Sequence, residues 1–180
     1  KFEDRGRIKR EKYHIDRLVL TTDSGAKLPG LTFHPPSPND DAYLYLHDSG
    51  KQGDSEPGGP IEQLMDGGYA VVTVDLRGQG ETSSRPRDKV LTDWKTYYLS
   101  YLLGQSLVGT RTEDALAAAD FVAYYQKDRK SPRKVHLVGV GQSGIVALHA
   151  AAMNPELFAS VTLRDTPRDW SSIVRMSTPV

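Results

Sequence analysis

The chain has 180 residues, enough for one domain or most of one. Its 23 Lys and Arg balance 23 Asp and Glu, so the formal net charge is zero and nothing electrostatic favours nucleic acid or an anionic membrane as partner. There is no cysteine, which excludes disulfides, thiol catalysis and Cys-ligated metal, and no apolar run approaches the ~18 residues that a membrane span needs.

Residues 1–12 read as a charged N-terminal extension. Lys1 to Arg10 has no apolar core and is not read as a signal peptide. Tyr13 to Thr21 alternates and is rich in β-branched and aromatic types, which predicts a strand. Asp23-Ser24-Gly25 is a turn, and Lys27 to Phe33 closes a hairpin. After a Pro-rich loop, Ala42 to Leu46 is a short apolar strand ending at His47-Asp48-Ser49-Gly50. Ile61 to Asp66 predicts a short helix capped by Gly67-Gly68. Tyr69 to Asp75 is a continuous apolar strand, the pattern of a strand buried on both faces, and runs into Arg77-Gly78-Gln79-Gly80.

Glu81 to Thr92 is a polar excursion. Trp94 to Leu103 predicts a helix whose Trp94, Tyr97, Tyr98 and Tyr101 recur at core spacing. Thr112-Glu113-Asp114 is a start signal for a long Ala-rich helix through Tyr125. A basic loop from Lys127 to Arg133 leads to a strand at Val135 to Val138, a glycine loop at Gly139 to Gly144, a helix at Ile145 to Met153 and a last strand at Ala159 to Leu163. A hairpin followed by alternating strands and helices predicts an α/β fold. Its sheet is mostly parallel with an antiparallel N-terminal part, and helices cover both faces. No internal repeat interrupts it, so residues 1–180 read as a single domain.

The loop Gly139-Val140-Gly141-Gln142-Ser143-Gly144 admits two readings. As G-x-G-x-x-G between a strand and a helix, with Asp165 about 20 residues on, it matches a dinucleotide-binding unit. The glycines would admit a pyrophosphate to the helix N-terminus, and Asp165 would hold a ribose hydroxyl. The other reading is a nucleophile elbow, in which small residues let a strand turn sharply into a helix and expose one side chain. In one register Ser143 is the nucleophile, with Ile145 crowding the turn. In the other, Gly141 holds the exposed position between Gly139 and Ser143, with Gly144 next. The second register packs better but has no nucleophilic atom.

Three further segments accompany this loop. Tyr69 to Thr82 contains Asp75-Leu76-Arg77-Gly78-Gln79-Gly80-Glu81-Thr82, which resembles the D-x-R-G-x-G-x-S loop of α/β-hydrolases. Leu44-Tyr45-Leu46-His47-Asp48-Ser49-Gly50 resembles the strand whose following loop donates to an oxyanion hole. Leu103 to Arg111, followed by Asp114, resembles the segment before the long helix in bacterial acetyl xylan esterase-like and related peptidase-like hydrolases. The resemblance implies an α/β-hydrolase domain acting on an esterified carbohydrate or small ester without a cofactor, and a secreted or periplasmic setting is compatible with it. It implies His47 and Ser49 in the oxyanion loop, and Gly139, Gly141 and Gly144 in the elbow. The family's nucleophile falls at Gly141, so the resemblance implies a degenerate site. Surviving activity would fall to Ser143, with Asp165 as the placed acid. The family's acid and histidine follow the last strands, and the chain ends at Val180 without a match for that histidine. The domain is therefore expected to lack its C-terminal part, with further domains of the same polypeptide as partners.

Asp75 and Arg77 are expected to hold the loop after their strand. His136 and His149 read as packing residues, and His14 and His34 receive no role. The histidines show no metal-ligand spacing, so no metal is expected.

Overall fold

The computed structural model describes residues 1–83, 94–125, 131–169 and 171, the side chains of 94–96 excepted. Seven strands form one sheet: β1 (Phe2–Lys9), β2 (His14–Thr21), β3 (Lys27–His34), β4 (Ala42–His47), β5 (Ala70–Val74), β6 (Val135–Val140) and β7 (Phe158–Arg164). Their order is β1-β2-β3-β5-β4-β6-β7. β1, β2 and β3 pair antiparallel and β3 meets β5 antiparallel, while β5, β4, β6 and β7 run parallel.

Among the described residues four α-helices accompany the sheet: α1 (Pro60–Asp66), α2 (Trp94–Leu102), α3 (Leu107–Tyr124) and α4 (Ser143–Met153). The apolar runs of the central strands follow from burial on both faces. Ala42, Leu44 and Leu46 of β4, with Val72 and Val74 of β5, pack against Ala115, Ala119 and Val122 of α3 and Val146 and Ala150 of α4. The alternate residues Tyr45, Val71, Val138 and Val140 pack against Ile61 and Met65 of α1 on the other face. Each fully buried Leu or Val contributes about 1.5–3 kcal/mol. The parallel core, the antiparallel N-terminal part and helices on both faces are as the sequence predicts.

Four local readings change. Phe2–Lys9 is a strand, with every residue exposed. It is the edge strand, held by backbone pairing with β2, by Arg7 bonding Asp16 and by the Phe2 ring against Phe121. The long helix begins at Leu107, not Thr112, because Ser106 caps it by accepting from the Gly109 N–H at 2.8 Å. Thr112 and Asp114 are interior and buried. Ser106→Ala is therefore expected to lower stability by about 1 kcal/mol, read as an earlier thermal midpoint; an unchanged midpoint would remove the cap from the account. The tyrosines of α2 are not core, since Tyr97, Tyr98 and Tyr101 are 53%, 55% and 70% exposed. His149 is exposed on α4 rather than packed. The polar excursion after Ser83 and most of the basic loop from Lys127 lie outside the described residues.

Candidate functional site

The site lies where the parallel strands end. β6 carries the chain to Gly141, which turns it into α4 with a left-handed backbone, φ +61°. Gly139 allows strand and helix to touch, because a Cβ there would lie 2.6 Å from the Gly144 Cα. At Gly141 the space in front of the backbone is filled: a Cβ would lie 1.9 Å from Oδ2 of Asp48. The same oxygen faces the Gln142 N–H at 3.4 Å, at the start of α4.

Asp48 belongs to the loop after β4, and that loop is tightly organised. The Ser49 N–H donates to Nδ1 of His47 at 3.0 Å, and the Ser49 hydroxyl donates to Oδ1 of Asp48 at 3.4 Å. His47 Nδ1 lies 3.1 Å from Asp48 Oδ1, and its Nε2 lies 3.7 Å from Asp54 Oδ2. Asp54 accepts from the Tyr45 hydroxyl at 2.6 Å and is paired with Arg164 from the end of β7. Burial, followed by this bond to Asp54, pushes the Tyr45 phenol well above its ordinary value.

The loop after β5 is held as expected of Asp75 and Arg77. Buried Asp75 accepts from the Lys51 N–H and ammonium, each at 2.6 Å, and from the Glu81 N–H at 3.0 Å. Burial alone would depress the Lys51 ammonium, but the bonds to Asp75 and Glu81 outweigh it and raise it. Arg77 donates Nε to Asp114 at 2.9 Å, and its backbone N–H reaches the same carboxylate at 3.1 Å. Arg111 donates to the Arg77 carbonyl at 2.7 Å. The first two turns of α3 therefore lock the β5 loop. The hollow beside these loops is lined by Ser49, Lys51, Asp75, Glu81 and Ser83, a charged wall closed by its own ion pairs.

Ser143 is 0% exposed, and its hydroxyl accepts from Nε2 of buried Gln79 at 3.1 Å. Asp165 follows β7 with φ +53°; its carboxylate is 81% exposed and lies 3.7 Å from Arg164 Nε. Ser143 and Asp165 are thus placed apart in environment, one sealed beneath the β5 loop and one in solvent. His136 is half-buried in β6, with Nδ1 2.7 Å from Ser160 Oγ. Asp54 gave no signal in the sequence, and Gln79 stood inside a quoted motif without a role. Asp48 stood inside a quoted motif without a role. The fold also gathers His14, Asp16 and His34, whose ligand atoms all lie within 4.8 Å of one another.

A parallel α/β core with an antiparallel N-terminal part and helices on both faces defines the class. The chain belongs to the alpha/beta hydrolase fold family, whose model matches residues 53–179. Among solved structures, the fold is similar to a Bacteroides fragilis protein assigned to the acetyl xylan esterases, with TM-score 0.74 and 18% identity over 89% of this chain. It is similar to acetyl xylan esterase 1 from Thermoanaerobacterium, with TM-score 0.64 and 19% identity over 89% of this chain. It is also similar to a cold-adapted esterase from an Arctic intertidal metagenomic library, with TM-score 0.64 and 18% identity over 88%. The chain spans 47%, 51% and 63% of these three structures. No curated protein sequence matches the chain.

Proposed function

We propose that this chain is an α/β-hydrolase domain of carboxylic-ester hydrolase descent in which serine-type catalysis has been lost. The observation that carries the reading is Gly141. It holds the left-handed turn of the elbow, the position to which the family resemblance assigns the nucleophile, and it has no side chain. Its environment supports the reading further. A carboxylate, Asp48, stands in the space that a nucleophile would occupy. An oxyanion hole needs free donors aimed at developing negative charge. Here the Ser49 N–H is bonded to His47 and the Gln142 N–H faces Asp48. A negative charge at that spot also opposes a pyrophosphate, which speaks against dinucleotide binding through the same glycines.

Ser143, the other candidate nucleophile, is fully buried on Gln79, out of reach of a substrate. The ligand class that fits this descent is an esterified carbohydrate or small ester, bound without turnover, with further domains of the same polypeptide as partners. A fluorophosphonate probe tests the reading. The expected result is no serine labelling and no hydrolysis of p-nitrophenyl acetate above buffer. Stoichiometric labelling of Ser143 would overturn it.

A further inference from the structure

The strongest feature outside the elbow is a cluster on the antiparallel side of the sheet. His14 of β2 and His34 of β3 are register partners, and Asp16 lies two residues along β2 on the same face as His14. Side chains directly opposite on adjacent strands have Cβ atoms about 4.5–5.5 Å apart, and residues two apart on one strand share a face, so the three stand side by side above the sheet. The His14 and His34 rings stack with centroids 4.6 Å apart. His34 Nε2 lies 3.2 Å from Asp16 Oδ2, yet it is buried and has no hydrogen-bond partner among the described residues. An orphaned imidazole nitrogen facing a carboxylate oxygen, with a second imidazole alongside, is an arrangement that a cation completes.

We propose that His14, Asp16 and His34 form a binding site for a zinc-class divalent transition metal. Two imidazole nitrogens and one carboxylate oxygen are the donor set that zinc accepts when one position is left for water. Nitrogen donors exclude magnesium and calcium as the preferred ion. Tetrahedral bonds of about 2.0–2.1 Å set ligand atoms roughly 3.3 Å apart. Closing from the present 4.8 Å limit therefore takes side-chain rotation rather than backbone movement.

Arg7 competes for the site. Its guanidinium forks onto Asp16, with Nε at 2.6 Å from Oδ1 and Nη2 at 3.0 Å from Oδ2. Its side chain is 54% exposed on an edge strand, so it can swing into solvent when a cation takes the carboxylate. The site is thus guarded by a removable internal cation.

Calorimetric titration of the intact chain with zinc chloride tests the proposal. The expected result is one zinc per chain. His34→Ala and His14→Asn should each weaken binding by about tenfold or more, while circular dichroism reports that the sheet is intact. Arg7→Gln should tighten binding, which nonspecific capture by surface histidines would not do. His149→Ala, on the exposed face of α4, should leave it unchanged. The proposal is overturned if millimolar zinc does not bind, or if folded His14→Asn and Arg7→Gln chains both bind as the parent does.

Discussion

Replacing Asp75 with alanine is expected to cost about 3–5 kcal/mol of folding stability, the range for removing one partner from a buried ion pair. Asp75 is 1% exposed and Lys51 only 7%. The substitution leaves the ammonium with Glu81 alone, whose carboxylate is 65% exposed. It also strips the Lys51 N–H and the part-buried Glu81 N–H of their acceptor, a loss that falls within that range. The loops after β4 and β5 then lose their common anchor. Urea unfolding gives the measurement. A loss below about 1 kcal/mol would place the Lys51–Asp75 pair in effective contact with water, where such pairs are worth little.

This anchor was partly legible in the sequence. Asp75 and Arg77 stood at a strand end in a recognisable loop, so a holding role followed. Their partners did not, because Lys51 and Asp114 lie 24 and 37 residues away and only the fold joins them. The central strands were legible because burial on both faces leaves an unbroken apolar run. β1 was not, since an edge strand held mostly by backbone pairing shows no alternating apolar face. The α2 tyrosines misled in the opposite direction, with core spacing on an exposed helix. The tight glycine turn between β6 and α4 was readable, whereas the carboxylate in front of Gly141 was not. Likewise His14 and His34, 20 residues apart, become neighbours only through the hairpin register, so no linear spacing announces them.

Gly141→Ser is expected to destabilise the chain by about 1–3 kcal/mol, the cost of holding a residue other than glycine in a sparsely populated backbone region, with a steric cost in addition. The φ of +61° supplies the first part, and the Asp48 oxygen, 1.9 Å from the new Cβ, supplies the second. The two parts separate in a double-mutant cycle. Asp48→Ala alone should cost within about 0.5 kcal/mol, because the carboxylate is 40% exposed and its contact with the Gln142 N–H is long. Combined with Gly141→Ser it should recover about 0.5–3 kcal/mol, the usual size of coupling between touching residues. Strictly additive costs would mean that Asp48 does not fill the elbow. The cycle also bears on function. A hydroxyl returned to position 141 meets no free donor at Ser49, whose N–H is committed to His47, and His47 itself is drawn towards Asp48 and Asp54. Neither variant should therefore hydrolyse p-nitrophenyl acetate. On the proposed reading, losing the nucleophile and filling its space with a carboxylate are two separate changes, and Gly141→Ser reverses only the first.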